Sequence, residues 1–179
     1  QPTVIAAMSK SSEAVTVPER LGEAMSRAFR HCWTGRPGVV HVTVCEDIIN
    51  SVIDIGVERV PARSRRQQPV AAHPDVVRQA AVMLLAADAP MIHAGTGVVH
   101  AGAFADLARV AELLDAPVTT SWGGRDCIDE RLPNSIPLFD IELVNRVRNE
   151  ADCVLALGTR FGETDWWGKP PYWRSASEQ

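Results

Sequence analysis

Two hydrophobic rhythms alternate along this chain. From residue 74 onward, segments with apolar residues at helical spacing take turns with short, nearly continuous apolar runs. "PDVVRQAAVMLLAAD" predicts a helix that starts near Asp75, and "PMIHAG" predicts a strand. "GAFADLARVAELLDA" predicts a helix from about Gly102–Ala103, with Phe104, Leu107, Ala108, Ala111 and Leu114 on one side. "PVTTSW" and "DCVLALG" predict strands, with "IELVNRVRNEA" a helix between them. Helices alternating with buried strands imply right-handed crossovers, so the fold class expected is α/β, a doubly wound parallel sheet of the Rossmann-like kind.

Upstream the rhythm differs. Residues 1–16 carry no clear pattern. "VPERLGEAMSRAFRHCW" predicts an amphipathic helix with Pro18 in its first turn, where a missing N–H costs nothing. Leu21, Met25, Phe29 and Cys32 share one face, as do Ala24 and Ala28, while Arg20, Glu23, Arg27 and Arg30 are expected toward water. Gly35 to Gly38 predicts a turn and Val39 to Val44 a strand. Residues 1–50 therefore read as the last helix and strand of a neighbouring α/β domain. Residues 51–73 read as a linker and 74–179 as the main, incomplete domain. Arg63, Arg65 and Arg66 in the linker admit an anion site, but the proline-rich surroundings favour a solvated connector. With no initiator Met and no signal pattern, the chain is expected to begin partway through a longer protein.

Composition narrows the function classes. The 179 residues are 46% hydrophobic, enough for a buried core, and a net charge of −4 argues against nucleic acid. No run approaches the roughly 18 apolar residues of a membrane helix. The four cysteines form no CxxC pair, which favours a reduced, cytoplasmic setting. Lysine occurs only at 10 and 169.

In such sheets ligands sit beyond the carboxyl ends of the strands. Three glycine-bearing loops should open there: "AGTGVVHAG", "SWGGRD" and "GTRFGETDWWG". Glycine serves a tight turn or the close approach of a phosphate, and both readings stay open for Gly95 and Gly97. His100 holds the third glycine position of a G-x-G-x-x-G, so the dinucleotide pattern is incomplete.

Taken in order, "GRPGVVHVTVCEDI", "APMIHAGTGVVHAGAFADLARVAELLDAPVTTSWGGRDCIDERLP" and "EADCVLALGTRFGE" resemble the thiamine-diphosphate-dependent enzymes of the acetolactate synthase type over residues 18–165. Cys45–Glu46–Asp47 replaces the family's usual proline-containing segment, and "TDWWGKPPYWRSASEQ" departs from its usual continuation. The resemblance implies the end of a pyrimidine-binding domain followed by a central domain. It implies a parent that decarboxylates a 2-keto acid and transfers the carbanion, with thiamine diphosphate and magnesium held by segments not found in this sequence. It implies a homo-oligomeric parent, the missing domains as partners, and no catalytic residue in this chain. Central domains of this family can carry FAD or ADP, or nothing. The nucleotide contacts carried over are Arg36, then Gly95, Thr96 and Gly97, then Gly158, Thr159 and Arg160. The alternatives are a stand-alone NAD- or flavin-binding module and a purely structural domain.

Other residues carry plainer expectations. Arg36 could equally face water in its turn, and Arg160 could pair with Glu163 or Asp165. The five histidines make no i, i+4 metal pair, so no metal site is expected. His93 is expected as a hydrogen-bonded core residue, and His100 as a possible ligand contact in the glycine loop. Arg125 is expected to be solvated. Nothing provides Cys127 with a base, and Ser121 lacks a nucleophile elbow. Trp122, Trp166, Trp167 and Trp173 are expected to pack in the core or at an interface.

Overall fold

The computed structural model describes residues 2–53 and 70–175. Arg63, Arg65 and Arg66, and most of the linker, lie outside the described residues. The chain divides into two compact units, Gln1–Ala71 and Ala72–Gln179.

In the first unit, α1 (Pro2–Ala6) precedes β1 (Ser11–Val15), a 3₁₀ turn (Pro18–Arg20), α2 (Leu21–Trp33), β2 (Val40–Val44) and the short α3 (Glu46–Ile49). β1 and β2 pair in parallel, with Ser12 opposite His41. The pattern of residues 1–16 had suggested neither α1 nor β1. β1 reads "SSEAV", too polar to be visible as a strand. α2 also turns differently from expectation. Its buried residue is Ala24, whereas Met25 and Phe29 stay exposed. Arg27 faces the sheet and pairs with Glu13 of β1 at 2.6 Å. A small residue lets the helix approach a sheet only two strands wide, so the alanine face wins over the bulkier one.

The second unit holds α4 (Pro74–Ala86), β3 (Pro90–Ala94), α5 (Thr96–Ala101), α6 (Phe104–Leu114), β4 (Val118–Thr120), a 3₁₀ turn (Trp122–Cys127), α7 (Ile141–Glu150), β5 (Cys153–Leu157) and a 3₁₀ turn (Glu163–Asp165). The sheet is wholly parallel, in the order β4-β3-β5. The connection after β3 thus runs one way and that leading into β5 returns across it, the topology of a doubly wound sheet. His73 caps α4 by accepting from the Asp75 N–H, and Asp140 caps α7 by accepting from the Leu143 N–H at 3.0 Å.

Period two along β3 sends alternate side chains to opposite faces. Ile92 and Ala94 join Leu107, Ala111, Val118 and Cys127 in a core of hydrocarbon and thiol. Each large aliphatic buried there contributes about 1.5–3 kcal/mol. Met91 and His93 point the other way and are equally buried. The helix after β3 is also corrected. Gly102 is left-handed at the end of α5 and does not open a helix; α5 begins at Thr96, directly after the first glycine, and α6 begins at Phe104.

Candidate functional site

The three glycine loops meet at the carboxyl edge of the sheet. β3 ends in Gly95–Gly97, β4 in Ser121–Gly124 and β5 in Gly158–Arg160. Their contact is backbone on backbone. A Cβ on Gly97 would lie 2.5 Å from the Gly158 Cα, and one on Gly124 would lie 2.8 Å from the Gly95 Cα. One on Gly123 would lie 2.8 Å from the Thr96 methyl. Gly158 is also left-handed, with φ of 59°. Two hydrogen bonds join the first and third loops: the Gly95 N–H donates to the Leu157 carbonyl and the Gly97 N–H to the Gly158 carbonyl, each at 2.8 Å.

This arrangement brings Gly95, Thr96, Gly97, Gly158, Thr159 and Arg160 together on one rim. It also changes what the glycines do. The N–H groups of Gly95 and Gly97 are committed to the neighbouring loop, so these residues shape the rim by letting two loops touch. Thr96, Gly158 and Arg160 are exposed there. The Arg160 guanidinium lies over Gly162, with no ion pair to Glu163 or Asp165 among the described residues. The Thr159 hydroxyl accepts from the Phe161 N–H at 3.2 Å.

Arg36 belongs to the first unit. It is exposed in the turn after α2, where its carbonyl accepts from the Lys10 ammonium at 2.8 Å. The Thr34 carbonyl accepts from the same ammonium. That unit also contains a recess of about 280 Å³ between α2 and the strands, lined by Ser11, Ser12, Glu13, Arg27, His31 and His41 among others, and Arg36 does not line it.

The remaining residues singled out above are placed as follows. Arg125 is exposed, paired with Glu130 at 2.6 Å and stacked over Phe139. Cys127 is buried and its thiol is pushed up to about 11, chiefly by burial, which makes it a poor nucleophile. All four cysteines are free. No group of three or more His, Cys, Asp and Glu side chains is placed to hold a metal among the described residues. His100 sits in the last turn of α5 and is exposed. Trp173 is fully buried whereas Trp122 is 62% exposed.

The pattern of the sequence did not reveal one group, a charged cluster behind the rim. His93 is fully buried; its Nδ1 lies 3.0 Å from the Thr119 hydroxyl and its Nε2 3.7 Å from Asp165 Oδ1. That second separation is ion-pair reach, too long for a hydrogen bond. Asp165 accepts from the Gly162 N–H at 3.1 Å. Arg148 of α7 is buried with its Nε unpartnered, and its guanidinium lies 4.7 Å from the centre of the Trp173 ring. Burial lowers the His93 imidazole below its ordinary range, against the pull of Asp165, and Arg148 adds to the lowering. Burial pushes Asp165 up, but His93, the Gly162 N–H and Arg148 outweigh it and hold the carboxyl below its ordinary range. Burial also brings Arg148 down to about 10, so it stays charged at neutral pH. The only sequence signal was His93 at an inward strand position; its partners come from 55 and 72 residues downstream.

A parallel sheet with glycine loops gathered at its carboxyl edge defines an α/β domain of the doubly wound type. The chain belongs to the thiamine pyrophosphate enzymes: residues 77–178 match that family's central domain. The match runs through the tail after Glu163, whose sequence had looked atypical. The chain is 30% identical over 162 residues to a probable acetolactate synthase large subunit of Methanocaldococcus jannaschii, covering 87% of this chain and 27% of that protein. It is 30% identical over 159 residues to the acetolactate synthase isozyme 1 large subunit of Escherichia coli K12, covering 87% and 28%. It is 31% identical over 172 residues to a probable 2-ketoarginine decarboxylase of Pseudomonas aeruginosa, covering 93% and 29%. The chain thus spans little more than a quarter of the length of these relatives. No helix among the described residues is long and apolar enough to cross a membrane.

Proposed function

We propose that this chain serves a thiamine-diphosphate-dependent enzyme of the acetolactate synthase type, which decarboxylates a 2-keto acid and transfers the resulting carbanion to an acceptor. Residues 1–50 are its piece of the pyrimidine-binding domain, 51–73 the connection, and 74–179 the central domain. The chain's share is scaffold and a cradle for FAD or ADP, and it contributes no catalytic residue. The parent works in the cytoplasm as a homo-oligomer.

The residues present do not fit thiamine diphosphate or magnesium, since no acidic cluster suited to a metal occurs among those described. They do fit a nucleotide at the rim. Thr96 and Arg160 are exposed beside the joined loops, and a guanidinium can pair bidentately with a phosphate. Thr159 positions that arm, while Gly95, Gly97 and Gly158 give the rim its shape. Arg36, which lies in the first unit, is proposed as a nucleotide contact on the family resemblance alone. The observation that carries this reading is the meeting of the three loops at one edge of the sheet.

Calorimetric titration of the chain with ADP, FAD and NAD tests it. Binding of FAD or ADP ahead of NAD, lost in Arg160→Ala, is the expected result. A preference for NAD would point to a stand-alone dinucleotide module. A second reading, a purely structural central domain, is favoured by the commitment of the Gly95 and Gly97 N–H groups to carbonyls, and binding of none of the three would establish it. Pyruvate with thiamine diphosphate and magnesium should give no turnover on this chain alone.

A further inference from the structure

Arg160 cannot hold its place by itself. Its guanidinium has no ion pair among the described residues, and the residue after it, Phe161, is left-handed at φ of 47°, a conformation that a bulky side chain adopts only when its surroundings impose it. What imposes it is visible beneath the loop. The Phe161 ring stacks on His93 at 5.5 Å and 14° and packs against Trp167 at 4.1 Å. The next N–H, of Gly162, donates to Asp165. Asp165 also lies beside His93, and its carbonyl accepts from the Trp173 indole at 2.7 Å. Trp173 in turn carries Arg148 on its face.

The charges here balance in one state only. Arg148 from α7 is a cation, Asp165 from the 3₁₀ turn an anion, and His93 from β3 is neutral; Thr119, Phe161 and Trp173, which complete the walls, carry no charge. A proton on His93 would leave one uncompensated positive charge in a dry cluster, and loss of the carboxylate would leave Arg148 unbalanced. Either change loosens the segment that fixes Phe161 and Gly162.

We propose that His93, Asp165 and Arg148 are positioning residues for the rim: their buried arrangement holds the 158–162 loop so that Thr159 and Arg160 face a bound nucleotide. Affinity at the rim then depends on the protonation of a histidine that never touches the ligand. The proposal rests on the nucleotide reading above for its ligand, but the loop itself can be observed without one.

The test uses the full chain, Asp165→Asn, His93→Gln and Arg160→Ala, with ADP and FAD titrations from pH 5 to 8 and amide exchange at Phe161 and Gly162 by NMR. Asp165→Asn should weaken binding by roughly tenfold or more, on the scale of a lost charged contact. Wild-type binding should weaken toward pH 5, and His93→Gln should flatten that profile, which a merely structural role would not do. If wild type binds neither nucleotide, the nucleotide reading fails. The positioning claim is then decided by exchange: faster exchange at Phe161 and Gly162 in Asp165→Asn, beyond any change at Ile92, upholds it. Unchanged exchange there, or unchanged affinity in a folded Asp165→Asn, overturns it. Should Asp165→Asn fail to fold, the wild-type pH profile against that of His93→Gln decides alone: a flattened profile upholds the proposal and an unaltered one overturns it.

Discussion

The two faces of β3 are built by different means. On one, Ile92 and Ala94 meet Leu107, Ala111 and Val118, all contributed by regular elements within 30 residues. On the other, His93 meets Asp165, Phe161 and Trp173, which arrive on a segment with little regular structure and with left-handed residues at Phe161 and Trp166. The first face is held by area removed from water, the second by aromatic contact and balanced charge. Hydrocarbon packing tolerates changes in shape and ignores pH. A charged interior is sensitive to both, because each unpaired group costs its full desolvation.

That contrast can be broken or sharpened by measurement. The largest effect belongs to the rim beyond both faces: Gly97→Val would drive side-chain carbons into the Gly158 backbone and should cost more than about 4 kcal/mol in urea denaturation, or prevent folding. Trp173→Ala empties the charged face and should cost about 3–5 kcal/mol near neutral pH, with the loss shrinking as pH falls, because water admitted to His93 removes the penalty that burial places on its protonation in wild type. Ile92→Val on the hydrocarbon face should cost about 0.5–1.5 kcal/mol, equally at pH 5 and pH 8. A pH-dependent Ile92→Val would erase the distinction between the faces.

A subtler prediction concerns wild type itself. His93 is depressed below its ordinary range of about 6.5, so the unfolded chain takes up a proton first and stability should decline as pH falls below that value. Asp165, depressed below the usual carboxylate range, keeps its contribution above about 4 and loses it at lower pH. Urea midpoints at successive pH values should show both steps, with His93→Gln lacking the upper one. At the small end, Arg109→Ala removes an exposed pair with Glu112 and should leave the midpoint unmoved.

How legible each part was follows from the same physics. β3 and β4 announce themselves because parallel strands buried on both faces read as apolar runs, and β5, half-buried at the edge of the sheet, keeps the same apolar character. The three-loop rim was legible for a related reason: topology alone sends those turns to one edge. β1 was not legible, since "SSEAV" pairs through its backbone and carries its ion pair, Glu13–Arg27, on side chains that look solvent-seeking. The glycine-to-glycine contact between 97 and 158 was also out of reach, because a glycine in the sequence does not say whether a ligand or another loop comes close. The His93 cluster depended on a fold-back no local pattern encodes. Asp165 and Arg148 read as surface charges until Trp173 covers them.

The lysines give the last consequence. The side-chain ammonium of Lys10 anchors the carbonyls of Thr34 and Arg36, and Lys169 sits 5.4 Å from the centre of the Trp166 ring. With one lysine in each unit, an amine-directed acylating reagent becomes a selective probe: its mark on Lys10 frees the end of α2, and its mark on Lys169 removes a cation from an indole. Peptide mapping after brief exposure would therefore rank how firmly each unit guards its single lysine.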